Sequence, residues 1–191
     1  MKSPTLRQVN TALSAIIVLL CLYLILGPFV PRLTFRFKPI PSLVALETKG
    51  QDTPVHIPDK NTLVIPSMRF QGTIHEGLYT STLNKGVWHR PGTGAPGQSG
   101  NTVLTGHRFT YGGPAVLYHL DKVRVDDKIV LYWEKQRYEY RVARVREVPP
   151  TAGEIEGKTD DGRLTIYTCT PLMTAENRLV IVARPLNEEE R

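Results

Sequence analysis

Cysteine is nearly absent from this chain of 191 residues: there are two, Cys21 and Cys169. Two thiols imply no disulfide framework, and a bridge between them is implausible because Cys21 falls inside an apolar run of membrane length. Charge is missing altogether from Gln8 to Pro31. Runs of five basic residues are missing too, although 24 Lys and Arg outnumber 18 Asp and Glu, for a net charge of +6 and a pI near 9.4. A dispersed excess of this kind reads as solvated surface, with at most some attraction to anionic lipid or an anionic envelope polymer; no nucleic-acid partner is expected. No two histidines stand at ligand spacing, so neither a zinc site nor any other cofactor is expected. A calcium site built from scattered acids stays open, but Asp126-Asp127 and Asp160-Asp161 read more economically as turn residues. Internal repeats are also lacking.

What is present begins with the uncharged segment. Residues 12–30 are almost wholly apolar, close to the length that crosses a hydrocarbon core of about 30 Å. A cleaved signal peptide would carry a shorter apolar stretch and small residues after it. Here Pro31-Arg32-Leu33 follows, so an uncleaved single-pass anchor is expected after a leader of residues 1–11. Basic residues flank it nearly evenly, and charge does not decide its orientation. Residues 31–60 are rich in proline and read as a tether.

From Asn61 to about residue 186 the texture is that of one β domain, followed by a tail at 187–191. Short β-branched or aromatic runs recur between Gly, Pro, Asn and Asp. They lie at 63–65, 72–74, 101–104, 128–133, 137–148, 164–168 and 178–183. Glu134-Lys135-Gln136 suits a hairpin, and Tyr138 to Arg146 alternates polar with apolar as a half-buried antiparallel strand does. Helical texture is confined to short pieces, 115–120 and 81–85. Such a pattern indicates an all-β domain, a closed or nearly closed barrel.

Three residue types stand at the edges of these runs: Cys169 at the end of one, Arg178 opening the next, and His107 just after a third. A lone strand cysteine is ordinarily an inert core residue, and lone His and Arg ordinarily surface or capping groups. Together they can transfer an acyl group. The thiolate attacks an amide carbonyl, the imidazole moves the proton, and the guanidinium, which cannot act as a base, donates to the developing oxyanion. Thr168 and Thr105 are secondary candidates for substrate contact. His89 reads as packing beside Trp88, with groove lining as a second reading. Gly97-Gln98-Ser99-Gly100 is a poor match to a serine-protease nucleophile loop, lacking the Asp and the chain order.

The words Thr105-Gly106-His107-Arg108, Thr168-Cys169-Thr170-Pro171 and Asn177-Arg178-Leu179 resemble those of sortases, the membrane-anchored cysteine transpeptidases of Gram-positive-type bacteria. The stretch from Gly86 to Asn101 resembles the family's segment ahead of the catalytic histidine, and the match covers roughly residues 60–185. The resemblance implies a closed eight-stranded barrel on the outer side of a cell-membrane anchor. It implies Cys169 as nucleophile, His107 as general acid and base, and Arg178 as electrostatic stabiliser. Implied partners are proteins with LPXTG-type carboxy-terminal signals, cut between Thr and Gly, and an amine acceptor such as a cell-wall precursor or a pilin lysine. The pilin-polymerising group often carries an Asp-Pro-aromatic lid, and residues 31–60 hold no Asp-Pro pair, so the pattern is nearest to the class D or E groups. Met173 stands where a glycine or other small turn residue is expected. That departure keeps a non-catalytic barrel-type binding module as an alternative; a pilin-polymerising sortase and a cysteine hydrolase are further ones.

Overall fold

The computed structural model describes residues 5–27, 30–37, 39–42, 57–110 and 112–186. Pro28, Pro54, His56, most of the leader's first residues and the 187–191 tail lie outside these. The chain divides into two units, residues 1–38 and 39–191.

In the first unit a 21-residue helix, α1, spans Leu6–Leu26. It starts ahead of the apolar run because Thr5 and Gln8 form a capping box, the Thr5 N–H donating to Gln8 Oε1 at 2.9 Å. With a mean hydropathy of 2.5 over its most apolar window and no buried residue, α1 is long and apolar enough to cross a membrane. A short helical turn, α2 (Val30–Leu33), and a 3₁₀ turn at Thr34–Phe37 follow. The start of the expected tether is therefore wound rather than extended.

The second unit holds ten strands: β1 Thr62–Ile65, β2 Phe70–His75, β3 Val87–His89, β4 Gly100–Thr105, β5 Phe109–Thr110, β6 Gly113–Pro114, β7 Lys128–Trp133, β8 Gln136–Val148, β9 Gly162–Thr170 and β10 Asn177–Pro185. Eight of them close into a barrel in the order β1-β2-β3-β4-β9-β10-β8-β7, while β5 and β6 form a separate small ribbon. The joints β2–β3 and β4–β9 are parallel and the others antiparallel. The seven expected runs are all strands of the barrel; β3, three residues long, is the one the period-two pattern is too short to reveal.

Alternation then sorts side chains by face. Leu63, Ile65, Ile74, Leu104, Leu131, Leu164, Ile166, Leu179 and Ile181 fill the lumen and are buried. Trp133 and Gln136 pair across a two-residue turn, with Glu134 and Lys135 both at positive φ (49° and 62°), so Gln136 belongs to the strand. The apolar phase of β8 slips after Val142. The register shifts at the same point, where Arg144 faces Val182 and Val142 faces Ala183, leaving Ala143 as a bulge. Outside the barrel, Val148, Ile155 and Val180 form a second cluster, with Ala152, Tyr167 and Val182 packed on it. The connection between β8 and β9 is thereby laid over the outer face. Asp126 (φ 70°) and Asp127, whose Oδ2 accepts from Arg124 N at 2.9 Å, hold the turn before β7.

Candidate active site

Lumen positions on β9 are the even ones, Leu164 and Ile166, so Cys169 faces outward and is partly exposed. On β10 the lumen positions are odd, Leu179 and Ile181, and Arg178 faces outward as well. The register makes the two direct partners: Arg178 opposes Cys169 across the ladder. Directly opposed residues share a face with Cβ atoms about 5 Å apart.

Arg178 is steered by the connection that precedes it. Its Nη1 donates to Ala175 O at 3.1 Å and to Asn177 O at 3.0 Å. Ala175 takes positive φ (55°), and its N–H closes back on Pro171 O at 3.0 Å. Met173, at the crest of this connection, is 73% exposed.

His107 arrives from the parallel neighbour. Thr105, the last residue of β4, is in register with Tyr167, two residues ahead of Cys169. Two buried hydroxyls pin the joint: Thr105 Oγ1 donates to Tyr167 O at 3.1 Å, and Thr168 Oγ1 donates to Gly106 O at 2.7 Å. The bend continues with Leu117 N donating to His107 O at 3.0 Å and Ala115 N to Arg108 O at 3.1 Å. Gly106 is needed for close approach, since a Cβ there would sit 2.8 Å from Val116 Cγ2. The segment carrying His107 is thus fixed against the strand carrying Cys169, and the parallel joint brings together residues some sixty positions apart.

The secondary candidates are placed differently from the three main ones. Thr168 is 1% exposed and Thr105 is 5% exposed, with their hydroxyls spent on the joint. His89 lies edge-on to Trp133, ring centroids 5.0 Å apart. Its Nε2 is 3.1 Å from Gly94 O and 3.2 Å from Thr93 Oγ1, and its Nδ1 is 3.5 Å from Glu76.

Two features escaped the sequence reading. Asn101, 3% exposed, holds the β8–β9 connection by donating from Nδ2 to Ile155 O (3.0 Å) and Gly157 O (3.1 Å), and it accepts from Thr165 Oγ1 at 2.7 Å. Glu156 in the same connection accepts from Arg90 Nε at 2.9 Å and from the Tyr167 hydroxyl. Arg90 lies 4.5 Å over the Trp88 ring. Burial, with the Glu156 carboxylate second, pushes the Tyr167 phenol up to about 12. A cleft of about 240 Å³ runs between the 92–94 turn, Ser99 and Lys158. Neither His107, Cys169 nor Arg178 lines it.

The pattern of the sortase domain matches residues 63–186. The chain belongs to the sortase family. Similar proteins include sortase A of Bacillus anthracis, 30% identical over 82 residues (43% of this chain, 39% of the relative). Sortase SrtE1 of Streptomyces coelicolor is 28% identical over 103 residues (49% of this chain, 29% of the relative). The matched part therefore spans well under half the length of either relative. Among solved structures, sortase C1 of GBS pilus island 1 has a TM-score of 0.62 at 28% identity, covering 69% of this chain and 66% of that one. The sortase barrel and the apolar amino-terminal helix are thus both present here, and sortases as a family are cysteine transpeptidases.

Proposed function

We propose that this sortase is a membrane-anchored transpeptidase that cuts an LPXTG-type carboxy-terminal signal between Thr and Gly and passes the new carboxyl end to an amine. The observation that supports this most is the cross-strand pair of Cys169 and Arg178 on the outer face, beside a bend that carries His107. In this reading the Cys169 thiolate adds to the Thr carbonyl carbon, and the oxygen takes up negative charge. Arg178, with Nη1 already held by the preceding connection, turns remaining N–H groups to that oxygen. The C–N bond breaks as His107 delivers a proton to the departing glycine nitrogen, leaving a thioester on Cys169. An incoming amine adds to the thioester, His107 takes its proton, and Cys169 leaves as the thiolate, restoring the starting pair. In this reading α1 is the anchor and the chemistry takes place outside the membrane, where secreted proteins emerge. No cofactor takes part.

Full-length protein in detergent micelles, given an LPXTG-type peptide and an amine, tests the reading. Cleavage and an amide-linked product are expected, and Cys169→Ala should remove both. Unchanged cleavage by Cys169→Ala would overturn the mechanism, and an inert Cys169 in a chain that still binds the peptide would mark a binding module. Cleavage indifferent to added amine would mark a hydrolase.

The acceptor and subclass are finer points. The missing Asp-Pro pair in residues 31–60 favours a class D- or E-like role with a cell-wall acceptor. Similarity to a sortase from a pilus island favours a pilin lysine. Competition between a wall-precursor amine and a lysine-bearing pilin peptide separates the two.

A further inference from the structure

Arg108 follows His107 directly, yet it is only 4% exposed. Its guanidinium reaches three places. Nη1 donates to Thr170 Oγ1 at 2.9 Å, Nη2 meets Asp121 Oδ1 at 3.2 Å, and Nε donates to Tyr118 O at 3.3 Å. Thr170 ends β9 one residue beyond Cys169. Tyr118 and Asp121 belong to the 115–122 crossover, which also caps the carbonyls of His107 and Arg108. One side chain therefore joins the bend bearing His107, the strand end bearing Cys169 and the crossover beneath them.

Stability alone does not call for an arginine here. Desolvation largely offsets the attraction in a buried ion pair, and apolar groups of similar volume are often as stabilising. What the planar fork supplies is direction: donors fixed at set angles toward separate acceptors, which an ammonium on a flexible stem does not reproduce. The directional requirement falls one residue from His107 and one from Cys169.

We propose that Arg108 is a positioning residue for the transfer reaction, holding the His107 bend in one fixed placement against the end of β9 through Thr170, Tyr118 and Asp121. This rests on the transpeptidase reading above. Arg108 touches no reacting atom; its effect passes through the two residues beside it.

The test uses full-length protein in micelles on a Cys21→Ala background, so that Cys169 is the one thiol. Two readouts are taken: steady-state cleavage of an LPXTG-type peptide, and the pH dependence of Cys169 alkylation by iodoacetamide. Arg108→Met is expected to lower kcat about tenfold to a hundredfold with KM little changed, the scale on which small misplacements act. Its alkylation profile should move away from that of the parent protein, and thermal unfolding should stay near it. Arg108→Lys should recover little, since charge returns without the fork. Parent-like kcat and alkylation in Arg108→Met, or full recovery by Arg108→Lys, overturns the proposal. If Arg108→Met does not fold, Thr170→Val carries the test, removing one acceptor: a lower kcat with a displaced profile supports the role, and parent-like values overturn it. A parent chain that never cuts the peptide refutes the transpeptidase reading instead, and the alkylation profiles then decide Arg108 alone.

Discussion

Arg178 stands directly across the β9–β10 ladder from Cys169, on the same outward face. The distance between them is set by backbone pairing, which a side-chain substitution leaves intact. Arg178→Lys should keep the fold and lose the directed donors. A fall in kcat of about 10²–10³ is expected, as for removal of one oxyanion donor, with an unchanged thermal midpoint. Peptide-cleavage kinetics beside a melting curve check this.

Thr168→Val keeps the shape of a buried side chain and removes the donor to Gly106 O. The carbonyl is left without that partner in a dry joint, at a cost of about 1–3 kcal/mol in denaturant unfolding. Because the lost bond locates the His107 bend, kcat should fall as well. Thr168→Ser, which restores the hydroxyl, should recover most of both.

Gly106→Ala introduces a Cβ against Val116 and Leu117, with the first contact at 2.8 Å. Overpacking of this kind costs about 1–3 kcal/mol. The double variant with Val116→Ala should regain part of the loss, and a thermodynamic cycle from urea unfolding measures how much.

Asn101→Ala releases the β8–β9 connection from Ile155 O and Gly157 O. The expected result is a destabilisation of about 1–3 kcal/mol, with faster amide exchange confined to residues 149–161. Exchange spread evenly over the barrel would contradict this.

Alkaline stability should turn on two phenols. Burial is the first cause in both cases, raising Tyr140 and Tyr167 from 10.0 to about 12. Between those values the folded state holds protons that the unfolded chain releases, so unfolding becomes easier as pH rises. Stability should be flat with respect to these groups below pH about 10 and decline toward pH 12. Tyr167→Phe should flatten part of that decline while losing the bond to Glu156, as melting curves from pH 8 to 12 will show.

Seven of the eight barrel strands were legible because their β-branched runs are bounded by turn residues. β3 was not, since three residues cannot show a period and their pairing comes from β2 and β4. Tyr138–Arg146 reads as one alternating strand; the phase slip after Val142, with its bulge at Ala143, emerges only from the register with β10. At the site, His107, Cys169 and Arg178 stood out by chemical type at run edges. Arg108 and Asn101 did not: a polar residue in a bend or near the start of a β run reads as surface, and only tertiary packing shows that it is buried and tied to three partners. His89 shows the reverse, a chemically suggestive residue whose contacts are with Trp133, Gly94, Thr93 and Glu76.

The ring formed by the eight strands has β1 paired to β7 at its seam, so it presents no open edge. An extended peptide cannot join the paired stretches of such a ring as one more strand, although the β4 ladder on β9 ends at Tyr167, short of Cys169. In the transpeptidase reading proposed above, a chain that reaches the outward-facing Cys169 meets side chains and connecting loops on the outside of the barrel. On that reading, sequence preference is to be sought in the connections 149–161 and 171–176, and exchanging them between relatives should move specificity without disturbing the barrel.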